Sequence, residues 1–212
     1  MEITWLGRSC IRIRAKEATV VTDPYDKSTG YTLGRPTADI ITISNSDPAH
    51  AHVDGVAGTP RVIEGPGEFE IAGTSIIGVT TYRGKEKTPE SGKNIAYVFE
   101  LEDLRIGHLG AIGHVPTSDQ IEAMGGVDIL LLPVGGGESL DAPPAAETIS
   151  LLEPKLVIPM NYKTDLERAN LDPLDRFLKE MGAKSPEHHA KVTITRSSLP
   201  EETQVLVIDY KR

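Results

Sequence analysis

Short β-branched and apolar runs, separated by turn-forming or polar residues, fill the first half of the chain and predict strands at 2–5, 10–14 and 18–22. The run 38–43, Ala-Asp-Ile-Ile-Thr-Ile, is nearly all apolar and stops at the polar stretch 44–48, which predicts a strand buried on both faces. Further strands are expected at 60–63, 68–71, 74–80, 94–101 and 104–108, with Gly65, Gly67, Gly73 and Gly92 in the gaps where turns need them. The second half alternates. Thr117 and Gln120 have capping-box spacing and open a helix through about Met124. The run 127–133 predicts a buried strand ending in Gly135, Gly136 and Gly137, and Asp141 is placed to cap a helix over 142–152, with Pro143 and Pro144 tolerated in its first turn. A strand at 155–159 follows. Asp172 and Pro173 then open a helix whose Leu174, Phe177, Leu178 and Met181 share one face, and Gly182 closes it before strands at 191–196 and 203–210. A strand-rich half followed by an α/β half predicts two sheets packed face to face with helices outside.

The length of 212 residues suits one domain over 1–212 with one substantial core, and 39% hydrophobic with 25% charged residues is an ordinary globular balance. The net charge of −9 argues against nucleic acid and against an anionic membrane surface, both of which ask for clustered Lys and Arg. Cys10 is the single cysteine, so an intramolecular disulfide and a cysteine-rich zinc site are excluded; Ile11 and Ile13 beside it predict a small buried side chain. No run approaches the roughly 18 apolar residues of a membrane helix, which makes the cytoplasm the expected location.

Open α/β sheets deliver functional groups at the carboxyl ends of their strands. Here those ends carry Asp23, the stretch 44–52, Arg83, Ala111 and Asn161. His108 and His114 look catalytic, but His108 sits within a strand and is expected to make a structural hydrogen bond. His52 follows His50 by two residues, so in an extended loop the two would point in similar directions; His188 and His189 lie in a polar, solvated stretch. Ser9 and Ser44 lack a nearby His–acid pair in the sequence, and Gly135-Gly136-Gly137 lacks the Lys-Ser/Thr of a phosphate loop, so it is read as a turn supporting a pocket rim.

Six segments together resemble the metallo-β-lactamase superfamily, and within it small proteins described as zinc-dependent hydrolases. They are Leu6-Gly7-Arg8-Ser9-Cys10, Thr22-Asp23-Pro24-Tyr25, Gly65-Pro66-Gly67-Glu68-Phe69-Glu70, His108-Leu109-Gly110, Leu132-Pro133-Val134-Gly135-Gly136 and Ile158-Pro159-Met160-Asn161-Tyr162. The resemblance runs from residue 2 to about 165 and implies a four-layer αββα sandwich. It also implies a metal pair held by a His-x-His-x-Asp-His loop, a later His, a bridging Asp and a last His. Laid on this chain, the loop's first His is Asn45, its second is Asp47, its Asp is Ala49, and only His50 survives. The later His falls at Arg83, the bridging Asp at Ala111 and the last His at Asn161, while Arg8 stands where the family usually has His.

These replacements lead to the expectation that the standard dinuclear zinc centre is absent, with Asp47 and His50 the remaining weak metal candidates. Arg8, Asp23 and His108 are expected to support the pocket, and Arg83 to pair with Asp23 or Asp47 in place of the metals, at a large cost if removed. The reading that follows is a non-catalytic protein binding a small anionic ligand or a partner, with no cofactor. One alternative is a metal-dependent hydrolase of phosphoesters or lactones with a weak or rebuilt mononuclear zinc site. Another is a structural subunit of a homo- or hetero-oligomer.

Overall fold

A computed structural model describes residues 1–183 and 186–210. The first strands are β1 (Glu2–Gly7), β2 (Cys10–Arg14), β3 (Thr19–Thr22), β4 (Ile40–Thr42) and β5 (Arg61–Ile63). Next come β6 (Gly67–Ile71), β7 (Thr74–Tyr82), β8 (Lys93–Leu101) and β9 (Leu104–His108). Helix α1 (Ser118–Met124), β10 (Ile129–Pro133), α2 (Ala142–Leu152), β11 (Leu156–Met160) and α3 (Leu174–Glu180) form the alternating half. Four two-residue strands end it: β12 (His188–His189), β13 (Val192–Thr193), β14 (Gln204–Val205) and β15 (Val207–Ile208).

One sheet has the order β13-β1-β2-β3-β4-β5 and the other β14-β11-β10-β9-β8-β7-β6. They pack face to face, because one apolar cluster contains Ile3, Ile11, Val20 and Ile40 from the first and Ile76, Phe99, Ile129 and Val157 from the second. This is the α/β sandwich expected. The alternation in the first sheet explains its second cluster. Ile40 and Val20 face the shared core, whereas their neighbours Ile41 and Val21 face the opposite side with Cys10, Tyr25 and Tyr31. Strand β4 is therefore buried on both faces, as the unbroken apolar run predicts.

The Thr117–Gln120 capping box forms in both directions. Asp141 precedes α2 without a side-chain capping bond; its carboxylate lies 3.5 Å from Lys85 instead. The expected strand 203–210 divides at Leu206, since β14 joins β11 of the large sheet while β15 pairs with β12. His188 and His189 thus belong to a strand, not a free polar stretch, though His188 stays exposed beside Asp209 at 2.8 Å.

Strands β3, β4 and β5 run parallel to one another, as do β9, β10 and β11. Strand β8 is antiparallel to both β7 and β9, so β7 ends at the same edge as β9. Five loops therefore converge: Asp23 after β3, residues 44–50 after β4, Arg83 after β7, Ala111 after β9 and Asn161 after β11.

Candidate functional site

Asp23 anchors this edge. It is buried, its backbone N–H bonds Thr42 O at 2.8 Å, and it accepts from the Ser44 N–H at 2.7 Å and the Ser44 hydroxyl at 2.6 Å. Its Oδ2 also lies 2.9 Å from His50 Nδ1. Burial alone would raise the Asp23 pKa; the hydrogen bond and charge of His50, then His108 and Ser44, hold it below the usual 3.8. An ionised Asp23 makes Nδ1 the donor, which leaves His50 Nε2 as the ring's free atom. The Ser44 hydroxyl donates to Asp23, not to the imidazole, so bringing an acid and a His to Ser44 does not make it a nucleophile.

The loop after β4 is a turn, with the His50 N–H on Asp47 O at 2.7 Å. Asp47 Oδ1 accepts from the Ala49 N–H at 2.9 Å, and Asn45 Oδ1 accepts from the Asp47 N–H at 3.2 Å. The turn separates the two histidines expected to point alike. His50 faces one cavity with Asp47; His52 lines another with Tyr25 and Asp26. Ala49 is buried behind the loop, and Asn45 lines a neighbouring cavity.

A cavity of about 280 Å³ collects Arg8, Asp47, His50, Arg83, Ala111 and Asn161. The glycine turn after β10 supplies its rim through Gly136, Gly137, Glu138 and Ser139. Gly110 allows the close approach: at φ 59°, a Cβ there would lie 2.4 Å from Ser44 Cβ and 2.7 Å from Asn94 Oδ1. The Asn94 carbonyl accepts from the Ala111 N–H at 2.8 Å and so orders the segment where the family pattern places its bridging Asp. Arg8, Asp23 and Asn161 adopt left-handed φ values of 51°, 42° and 53°. Such strain in side-chain-bearing residues persists where the surrounding structure holds it, and it collects at functional sites.

Arg83 does not reach Asp23. Its Nη1 lies 3.0 Å from Glu138 and 3.6 Å from Asp47. The Glu138 and Asp47 side chains are 72% and 46% exposed, which places these pairs among surface ion pairs worth about 0–1 kcal/mol, not among buried ones. The large stability role expected of Arg83 passes to Arg8, whose Nη1 pairs at 3.0 Å with a fully buried Glu167. Sequence reading missed both Glu138 and Glu167, for neither lies at the end of a strand.

His108 sits behind the cavity with Nε2 2.8 Å from Ser9 O, and His114 lies between Val115 O and the Tyr82 N–H. Burial lowers both pKa values below the usual 6.5; the Asp23 charge and the Ser9 carbonyl oppose it at His108, and the Val115 carbonyl at His114. The unfolded chain thus binds protons below pH 6.5 that the folded one refuses, and stability falls as pH drops. The slope is at most about 1.4 kcal/mol per pH unit for each histidine, levelling off below the folded pKa values. Urea midpoints between pH 7.5 and 5.5 should fall accordingly, and a flat series would place these imidazoles in solvent.

A family profile describing a beta-lactamase superfamily domain matches residues 2–161. A UPF0173 protein of Pyrococcus furiosus is 26% identical over 205 residues, covering 85% of this chain and 90% of its own. A Thermoplasma acidophilum protein named a UPF0173 metal-dependent hydrolase is 26% identical over 201 residues, covering 80% and 87%. A solved Thermotoga maritima structure, named as a Zn-dependent hydrolase of the metallo-beta-lactamase superfamily, superposes with a TM-score of 0.82. It is 37% identical and covers 99% of both chains. These names overturn the expectation of a non-catalytic binding protein, because relatives aligned over nearly the whole chain are named metal-dependent hydrolases. Among the described residues, no helix is long and apolar enough to cross a membrane. With its sheet order, its convergent loops and a profile match over most of its length, the chain belongs to the metallo-β-lactamase superfamily.

Proposed function

We propose that this chain is a metal-dependent hydrolase of phosphoesters or lactones, acting in the cavity between Asp47, His50, Arg83 and Asn161 with one divalent cation. A metal pair does not fit the donor set: among the described residues, no three His, Cys, Asp or Glu side chains come together as a cation cluster. A single cation fits better. His50 offers Nε2 and Asp47 its carboxylate, and buried Asn161 offers Oδ1, an oxygen with no hydrogen-bond partner. A buried acceptor left unpaired is costly, and a cation would satisfy it.

The observation that carries the reading is the unpartnered Asn161 Oδ1, which lines the same cavity as Asp47 and His50. Asp47 and Glu138 line the cavity with the guanidinia of Arg8 and Arg83, while Asp23 stands behind His50 and Glu167 behind Arg8. A divalent cation held there would supply a nucleophilic hydroxide near neutral pH and polarise the scissile group. Asp23 orients the His50 ring, as a carboxylate behind a ligating imidazole does. The Asn161 amide is aimed by its Nδ2 bond to Ser139 Oγ at 3.1 Å. Arg83 brings positive charge to the cavity edge, where charge develops on a substrate oxygen.

The test is turnover of bis(p-nitrophenyl) phosphate and a chromogenic lactone before and after chelation. Activity should disappear with chelator and return with about one equivalent of Mn²⁺ or Zn²⁺ per chain. Undiminished turnover after exhaustive chelation would overturn metal dependence; restoration only at two equivalents would overturn the single site.

A further inference from the structure

Building on the hydrolase reading, we propose that the cavity adjoining the hydrolytic pocket anchors an oxyanion of the substrate, a carboxylate or a terminal phosphate, through Lys93 and Arg83. This cavity, of about 320 Å³, lies on the other side of Arg83, with Asn45, Ser46, Glu64 and Lys93 in its lining. The two cavities share the Arg83 side chain and differ in the charges around them. Asp47 and Glu138 match Arg8 and Arg83 in number around the first; Lys93 and Arg83 face only Glu64 in the second.

Arg83 divides its fork between them. Nη1 serves Asp47 and Glu138, while Nε and Nη2 lie 3.0 and 3.1 Å from where a Cβ on Gly92 would stand. Only glycine at 92 packs against this side of the guanidinium without pressing on it, and Nε is buried there without a hydrogen-bond partner. The next residue is Lys93, exposed at the start of β8 and outside every ion pair found among the described residues. The Arg83 N–H bonds Gly92 O at 2.8 Å and the Ile95 N–H bonds Ser44 O at 2.8 Å, so the walls bearing the two cations are tied to the strands. A fork with free donors beside an unpaired ammonium suits an oxyanion, and the Ser46 side chain adds a hydroxyl. A substrate anchored there would extend past Arg83 and place its scissile bond by Asp47 and His50. The class this selects is small esters or lactones carrying a separate anionic group.

The experiment titrates orthophosphate and succinate, separately, into chelator-treated protein by calorimetry, comparing the parent with Lys93→Ala and Lys93→Arg. Affinity for the better anion should fall about ten-fold in Lys93→Ala and stay within about two-fold in Lys93→Arg, with unfolding midpoints unchanged. Which anion binds more tightly distinguishes a phosphate from a carboxylate substrate. In the kinetic arm, Lys93→Ala should raise KM for an ester bearing a pendant carboxylate about ten-fold with kcat unchanged, and leave a neutral ester alone. Equal affinity of parent and Lys93→Ala for both anions, or an equal KM rise for neutral and anionic esters, would overturn the proposal. Should no ester be turned over by the parent, the hydrolase reading falls while the calorimetry still decides the anion site.

Discussion

Asp23→Ala is expected to lose about 3–5 kcal/mol of stability and nearly all divalent-cation affinity. The carboxylate is fully enclosed and accepts three bonds, from the Ser44 N–H, the Ser44 hydroxyl and His50 Nδ1. Removing it strands those donors in a space that water does not reach, and the penalty for unmade buried bonds adds to the loss of a charge-assisted pair. The imidazole would then lose the partner that fixes its tautomer, so the cation site should weaken by about 10–100-fold beyond any effect of unfolding. Asp23→Asn separates the two effects. It keeps the shape and an acceptor for one Ser44 bond, so it should recover part of the stability while leaving cation affinity low. Denaturant midpoints and Mn²⁺ titrations on the three proteins are the measurements. A midpoint for Asp23→Ala within about 0.5 kcal/mol of the parent would mean the carboxylate is not what holds this edge together.

Arg8→Ala should cost about 3 kcal/mol, far more than Arg83→Ala. Glu167 has no side-chain exposure, and its Oε1 accepts from Arg8 Nη1 at 3.0 Å and the Ala169 N–H at 2.8 Å. Without the guanidinium a buried carboxylate remains with only backbone support, the situation in which breaking an ion pair costs most. The pair also ties the segment after β11 to β1, and Ala169, Asn170 and Leu171 of that segment form one wall of the hydrolytic cavity. KM should therefore rise together with the loss of stability. The double variant Arg8→Ala/Glu167→Ala should be more stable than Arg8→Ala alone, because it removes the stranded charge. A double variant less stable than Arg8→Ala would show that packing, not charge, is the main term.

The stretch from β1 to β11 was legible because its patterns are local. Apolar runs of four to nine residues bounded by glycine, a capping box at 117–120 and a glycine turn after β10 each constrain a few neighbouring residues. The C-terminal stretch was less legible. Residues 203–210 have one hydrophobic pattern but serve two sheets, and only pairing partners distant in sequence decide where the strand breaks. The convergence of Asp47, His50, Arg83, Ala111 and Asn161 followed from placing residues at strand ends, which parallel topology turns into one edge. Glu138 and Glu167 lie in loops whose approach to the site depends on tertiary packing. Their carboxylates pair with Arg83 and Arg8, the two guanidinia on which the expectation of an anion pocket rested.

By itself, the sequence determined the sandwich, the loops that build the site and the identities of the donors left in it, since periodicity, turn chemistry and residue type are properties of short segments. Tertiary structure decided the pairings. It gave Asp23 to His50, Glu167 to Arg8, and Asp47 with Glu138 to Arg83, and it left Asn161 Oδ1 unpaired. The reason is the reach of the forces involved. Hydrophobic patterning is written residue by residue, whereas an ion pair joins charges that can stand more than a hundred residues apart in the chain and a few ångströms apart in space, as Arg8 and Glu167 do.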